Sequence, residues 1–321
     1  MFRGIEGIAV IVAQGGPKMS EVKAMSLKEV KKVSIIGSGL MGAQIAEIVA
    51  RVGGYPVVMW DMDEELLAKG FKAISSSLKR FFVDKDKMSR EEAEQVMNRI
   101  KGTTEIAEAA NADFIVEAVL ENMNIKQKVF RQLDEAAPAN ACLASNTSNL
   151  NITDLGRATS RPDKVIGMHF FNPVAVMRLV EVVRGTLSSD ETTQLTCDLA
   201  RKLGKEPIVC RDSSYGFLAN RAYRAMRNEA LQMVWERVAT PQDIDKALKL
   251  GYNLPMGPLE LTDMTGGWGI AVASEADAVR ELGPEKGYVH PLIRMMVRAG
   301  YTGGRDKKGI YAFWDEILSK W

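Results

Sequence analysis

Six short apolar runs recur between Val33 and Val183: VSII from Val33, VVMW from Val57, FIVEAV from Phe114, CLAS from Cys142, VIGMHF from Val165 and LVEVV from Leu179. Each is rich in branched residues and bounded by Gly, Asn, Asp or Pro, which predicts strands. Helical patterns lie between them. In residues 124–136, for example, Ile125, Val129 and Leu133 fall on one apolar stripe and Lys126 falls off it. Strands alternating with helices imply right-handed crossovers and a mostly parallel sheet covered on both faces.

After RDSSYG, residues 211–216, helical patterns take over. Residues 217–238 read as a long amphipathic helix. Thr240, Pro241 and Asp243 then supply an N-cap, a first-turn proline and a capping-box acid, and Gly251 supplies a stop. Further helices are predicted from Pro258, over 271–282 and over 291–299. The expected organisation is a variable extension over 1–30, an α/β domain over 31–211 and an all-helical domain over 212–321.

Composition narrows the function classes. A chain of 321 residues suits two domains. Its net charge of +1 offers no field to draw it onto nucleic acid. The three cysteines, Cys142, Cys197 and Cys210, are far apart and form no CxxC pair, which argues against a disulfide framework or a zinc site and for a reducing, cytoplasmic setting. The apolar run IAVIVA, residues 8–13, is too short to span a bilayer, so no membrane role is expected. Met19 and Met25 are alternative starts.

In VSIIGSGLMGAQIAEIV, Gly37, Gly39 and Gly42 stand in GxGxxG order between a predicted strand and a predicted helix, with Leu40 and Met41 inside the turn. Gly37 would make the tight turn, Gly39 would admit a pyrophosphate to the backbone, and Gly42 would let helix and strand pack closely. The phosphates would meet a positive helix N-terminus. The pattern predicts a Rossmann-like, doubly wound sheet. Asp61 ends the second strand about 20 residues on, where a carboxylate accepts ribose hydroxyls. No basic residue follows in MDEE, which favours NAD over NADP. The plain alternatives are a glycine-rich turn without a ligand and a solvated strand-end aspartate.

His169, one of only two histidines, ends the strand VIGMHF, and Glu181 lies inside the apolar run LVEVV. A carboxylate in a buried strand needs a partner, and His169 is the obvious candidate. Paired with it, Glu181 would fix the imidazole tautomer and raise its basicity, as hydroxyl oxidation requires. A core histidine bonded to a buried glutamate is the other reading. Glu117, in FIVEAV, suggests no role.

The stretch GMHFFNP followed by LVEVV, with ASNTSNL before it, resembles the L-3-hydroxyacyl-CoA dehydrogenase family. The likeness continues through EAVLENMNIKQKVF, PMGPLELTDMTG and KKGIY. It implies NAD-dependent interconversion of 3-hydroxyacyl-CoA and 3-ketoacyl-CoA, as in β-oxidation, by a homodimer joined through its helical domain. It makes His169 the base, Glu181 its partner, and Ser148 and Asn220 the residues that contact the reacting oxygen. Glu121, Lys126 and Asn172 match positions near the nicotinamide, with Lys126 also on the substrate side, and Ser77 matches one near the CoA moiety.

Three places depart from the family pattern. Gln44 stands where glycine is usual, RDSSYGF has an extra residue and no proline, and Arg305 replaces a lysine expected near the cofactor. Related dehydrogenases of carnitine or sugar acids carry proline in place of the first phenylalanine of HFF, so HFFNP favours acyl-CoA substrates. A non-catalytic NAD-binding protein of the same fold is the rival from another class. His290, before Pro291, reads as a capping or surface residue, and Trp268 and Tyr288 read as packing.

Overall fold

A computed structural model describes residues 25–213, 215–305 and 307–321. The run IAVIVA and Met19 lie outside these. The chain joins the fold earlier than expected, because Met25 and Val30 are already buried in the core.

Eight strands form one sheet: β1 (Val33–Ile36), β2 (Val57–Trp60), β3 (Ile100–Thr103), β4 (Phe114–Glu117), β5 (Cys142–Ser145), β6 (Val165–Phe170), β7 (Leu179–Arg184) and β8 (Glu206–Arg211). Their order is β3-β2-β1-β4-β5-β6-β7-β8. All neighbours are parallel except β6 and β7, which run antiparallel. Every residue of β1, β4, β5 and β6 is buried, as a sheet covered on both faces requires. Apolar clusters fill both sides of the sheet, and a third surrounds Trp268, which is fully buried, in the helical part.

The six predicted strands are present. The two unpredicted ones are the edges. β3 reads IKGT and has no apolar run, while β8 has both Ile208 and Val209 about half exposed. Each is recruited by its neighbour's free ladder, which hydropathy does not report.

The first helix, Leu40–Arg51, follows the glycine turn. The helix Met123–Ala136 buries Lys126, Val129, Phe130 and Leu133 at i, i+3, i+4 and i+7, while Ile125 is 40% exposed. Lys126 is therefore on the buried stripe, contrary to the sequence reading. The long helix runs Ala219–Trp235. In the next, Pro241–Tyr252, the Thr240 hydroxyl accepts from the Asp243 N–H at 3.1 Å, and the stop is Asn253 in a left-handed conformation (φ 54°), two residues beyond Gly251. Residues 271–282 are divided at Ser274 between helices Gly267–Ala273 and Glu275–Leu282. The helix Pro291–Arg298 is capped by His290, whose Nδ1 accepts from the Leu292 N–H at 3.2 Å. His290 is buried, not superficial, and burial holds its pKa below the ordinary value.

Candidate active site

The antiparallel register of β6 and β7 sets His169 directly opposite Glu181, so both side chains leave the same face of the sheet. His169 Nδ1 lies 2.7 Å from Glu181 Oε2. The other carboxylate oxygen, Oε1, accepts the backbone N–H groups of Leu218 at 3.2 Å and Ala219 at 2.8 Å. Burial, the largest influence on Glu181, pushes its pKa up; the hydrogen bond from His169 and those two N–H groups together outweigh it and hold the carboxyl below its ordinary 4.5. As a carboxylate, Glu181 accepts from Nδ1–H, which leaves the His169 Nε2 lone pair outward. Phe171 and Phe217 flank the imidazole at 4.5 and 5.9 Å between ring centroids.

The same two N–H groups carry the chain into the helix that bears Asn220. The altered linker RDSSYGF reaches this point with Gly216 and Phe217 both left-handed (φ 83° and 48°). Its start is anchored by Asp212, whose Oδ2 accepts from the Thr153 backbone N–H and hydroxyl, each at 2.7 Å. On the other side, Asn146 Oδ1 accepts the Phe170 N–H at 2.9 Å and ties the loop after β5, which carries Ser148, to the strand end beside His169. The Ser148 hydroxyl and the Asn220 side chain form no hydrogen bond with any described residue, so both are free to meet a ligand.

A second buried acid, Glu117 at the end of β4, organises that loop. Glu117 Oε1 accepts from Lys126 Nζ at 2.6 Å and the Val119 N–H at 2.7 Å, and Oε2 accepts from the Ser145 hydroxyl at 2.6 Å. Lys126 also meets Glu121 Oε2 at 3.3 Å and the Val119 carbonyl at 3.3 Å. Glu121 Oε1 in turn accepts from the Thr147 hydroxyl at 2.6 Å and the Ser148 N–H at 2.9 Å. Lys126 Nζ thus donates to Glu117 and Val119 and lies within ion-pair distance of Glu121. Sequence reasoning left Glu117 without a role, although a carboxylate in an apolar strand was the signal that led from Glu181 to His169.

The residues present fit NAD. A Cβ at Gly37 (φ 107°) would fall 2.6 Å from the Ala118 carbonyl oxygen, and one at Gly42 would fall 1.8 Å from that of Gly37, so the turn requires both glycines. Beyond Gly39 there is nothing within 4 Å. Gly39 gives the first helix no side-chain cap, and the first turn has no acidic residue, so the N–H groups at Leu40, Met41 and Gly42 face an open approach. Asp61 Oδ2 accepts from the Ser38 N–H and hydroxyl at 2.7 Å each, and Oδ1 from the Met62 N–H at 2.8 Å. That orients the carboxylate and leaves it acceptor capacity for a ribose hydroxyl.

Gln44 bridges the first helix to the turn after His169. Its Oε1 accepts the Val174 N–H at 2.8 Å and its Nε2 donates to Asn172 Oδ1 at 2.9 Å. A backbone N–H can only donate, so the orientation of both amides is settled and Asn172 Nδ2 is turned away from Gln44. Ser77 sits half-buried on the helix Glu64–Phe81 and forms no hydrogen bond with the residues above. Arg305 is exposed beside Gly303 and Gly304, in the helical part, and no hydrogen bond or ion pair joins it to the sheet-bearing part among the described residues.

A doubly wound sheet with an open glycine turn, and an acid-paired histidine at a strand end, define an NAD-dependent oxidoreductase. Residues 32–213 match the family model described as 3-hydroxyacyl-CoA dehydrogenase, NAD binding domain, and residues 216–313 match 3-hydroxyacyl-CoA dehydrogenase, C-terminal domain. The chain belongs to this family and is an NAD-dependent 3-hydroxyacyl-CoA dehydrogenase, an oxidoreductase acting on a CH–OH group. A probable 3-hydroxybutyryl-CoA dehydrogenase of Deinococcus radiodurans is 43% identical over 282 residues, covering 88% of this chain and all of the relative. The human mitochondrial hydroxyacyl-coenzyme A dehydrogenase is 37% identical, over 88% of this chain and 91% of its own length. The crystal structure of an (S)-3-hydroxybutyryl-CoA dehydrogenase from Ralstonia eutropha superposes with a TM-score of 0.82 at 40% identity, covering 88% of this chain and 98% of that one.

The buried pair Glu117–Lys126 makes a measurable prediction. Lys126→Met leaves a buried carboxylate without its cation and should destabilise the protein by about 3–5 kcal/mol. Combining it with Glu117→Gln should recover much of that loss. Denaturant unfolding of both single variants and the double variant checks this; simple additivity of the two losses would contradict the pairing.

Proposed function

We propose that this dehydrogenase interconverts an L-3-hydroxyacyl-CoA and its 3-ketoacyl-CoA, with His169 as general base and acid and Glu181 as its positioning partner. The observation that carries this reading is the 2.7 Å contact from His169 Nδ1 to a carboxylate that two backbone N–H groups also hold. NAD, when bound, supplies the hydride acceptor, and NADH the donor.

In the oxidative direction His169 Nε2 takes the C3 hydroxyl proton as the C3–H bond breaks and the hydroxyl oxygen becomes a carbonyl. The imidazolium so formed is stabilised by the adjacent Glu181 carboxylate. In reverse Nε2–H returns the proton to an oxygen gaining negative charge. The unpartnered Ser148 hydroxyl and Asn220 amide donate to that oxygen. Gly37, Gly39, Leu40, Met41 and Gly42 hold the pyrophosphate, Asp61 the adenosine ribose, and Asn172 Nδ2 the nicotinamide side. Lys126, held by Glu117, Val119 and Glu121, acts there as a positioning residue through Glu121 and the Ser148 loop. Arg305 and Ser77 keep, by family likeness alone, roles near the cofactor and the CoA moiety.

The names of the relatives support a CoA thioester as substrate. A homodimer follows from the family likeness, and Leu250, Tyr252, Ile270 and Trp321 of the helical part are each at least 65% exposed apolar side chains. No described helix is long and apolar enough to cross a membrane. A cytoplasmic setting accords with the three free cysteines, and β-oxidation with the reaction.

His169→Gln keeps a donor for Glu181 but removes the base, and should lower kcat/KM for acetoacetyl-CoA by roughly 10²–10⁴ while leaving the NADH dissociation constant and the unfolding transition near wild type. Activity within a few fold of wild type would sink the assignment. A 2′-phosphate beside Asp61 meets like charge, a penalty of about 1–4 kcal/mol, so initial rates with the two reduced cofactors should favour NADH over NADPH tenfold or more. Because Glu181 is held below 4.5, it stays ionised across the working range. Oxidation then requires neutral His169 and reduction the protonated form, so kcat/KM should rise with pH in one direction and fall in the other. Superimposable profiles would contradict the role of His169.

A further inference from the structure

Among the described residues, three buried cations of the sheet-bearing part meet a carboxylate, Arg51 with Glu47, Lys126 with Glu117 and Arg161 with Asp134, and Lys205 is held by the Val174 and Met177 carbonyls. Two guanidinium groups in the helical part have no such carboxylate. Arg224 donates one hydrogen bond, to the Tyr215 carbonyl at 3.2 Å, and packs 5.1 Å from the Tyr215 ring centre. Arg227 reaches only Asn228 Oδ1, at 3.3 and 3.1 Å, and lies 6.0 Å from the Trp268 ring centre. Neither has a described carboxylate oxygen within 4.0 Å, although both side chains are partly buried.

Both lie on the helix Ala219–Trp235. Asn220, Arg224 and Arg227 are i, i+4 and i+7 on one helix, so they share one face. That helix begins at the Glu181 carboxylate. At 1.5 Å per residue, Arg224 stands about 6 Å and Arg227 about 10 Å along the axis from Asn220. Burial lowers the pKa of both guanidinium groups, Arg224 further through Arg221 and Arg227 further through Arg224. Desolvated like charges gathered without a counterion are costly, and an anion on this face would relieve that.

We propose that Arg224 and Arg227 form a subsite for a carboxylate at the far end of the acyl chain, so that the preferred substrate is the monothioester of a 3-oxodicarboxylic acid. This rests on the reaction assigned above, in which Asn220 meets the oxygen on C3. Three or four carbon–carbon bonds of about 1.5 Å carry a chain from C3 across one helical turn, which corresponds to a six-carbon acyl group. The phosphates of CoA lie at the other end of the long pantetheine arm from C3 and do not fit a column that starts beside Asn220. Arginine, with its planar fork of donors, suits a carboxylate. Counting the bonds above, Arg224 keeps four of its five N–H donors and Arg227 three.

The test compares 3-ketoadipyl-CoA with 3-ketohexanoyl-CoA, which has the same chain length and no terminal carboxylate, alongside acetoacetyl-CoA, using NADH and the full chain. Wild type should favour 3-ketoadipyl-CoA over 3-ketohexanoyl-CoA at least tenfold in kcat/KM, chiefly through KM. Arg224→Leu should reduce that ratio to near one, and Arg224→Lys should retain part of it. A wild-type ratio near one, or a ratio that survives both Arg224→Leu and Arg227→Leu, overturns the subsite and needs no variant to fold in the first case. Loss of the homodimer in those variants with the preference intact would assign the arginines to a second copy of the chain and overturns it equally. No turnover of any of the three thioesters would overturn the reaction itself.

Discussion

Glu181 is a carboxylate in the middle of a buried strand, and the rest of the site follows from satisfying it. One oxygen is met within the sheet, by His169 across the antiparallel β6–β7 pair. The other is met from outside the sheet, by the N–H groups of Leu218 and Ala219 at the start of the helical part. A single ionised group therefore sets the histidine tautomer and fixes where the helical part begins. Phe217 shows how strongly this is enforced. A bulky L-residue in the left-handed region costs about 1–2 kcal/mol, whereas each hydrogen bond to a charged group contributes about 1.5–3 kcal/mol. The two N–H bonds to Glu181 outweigh the strain at Phe217 (φ 48°), which also places its ring against the imidazole.

Glu117 repeats the same arrangement three strands away in the same sheet. It too is a fully buried strand acid, at the end of β4, and it takes its cation from Lys126, on the helix that follows. Where Glu181 orients an imidazole, Glu117 orients a loop. Lys126 holds Glu121, and Glu121 holds Thr147 and the Ser148 backbone. The two acids thus position His169 and the Ser148 loop from within the sheet, and both carboxylates are fully buried, where salt screens little.

The central strands were legible because burial on both faces demands continuous apolar runs. The His169–Glu181 pair was legible because a lone acid in such a run needs a partner. The same reasoning applied to Glu117 would have drawn Lys126 out of solvent, but the helical stripe through Ile125, Val129 and Leu133 concealed it. The true stripe contains a lysine, since its neighbour across the interface is a carboxylate rather than a hydrocarbon. β3 and β8 escaped notice because edge strands are specified by the ladder they join. The stop after residue 252 was misplaced because asparagine, though less readily than glycine, also takes the left-handed conformation that ends a helix. Nothing in apolar periodicity distinguishes Arg224 and Arg227 from solvated charges; only their missing carboxylates do.

The substitution at Gln44 shows how a departure from the family pattern can be absorbed. A side chain in place of glycine on the first helix could have wedged that helix away from the strand end. Instead its amide spans the gap and binds both Asn172 and Val174. From the opposite side Lys205, also buried, donates to the carbonyls of Val174 and Met177. The turn that follows His169 is thus held at Val174 by its N–H through Gln44 and by its C=O through Lys205. Burial pushes the Lys205 pKa down, in keeping with an ammonium held by carbonyls alone. With the turn clamped on both sides, Asn172 has one orientation to offer, its oxygen engaged and its nitrogen turned outward. A side-chain amide that glycine at position 44 would leave unheld thus presents its nitrogen as a donor away from Gln44.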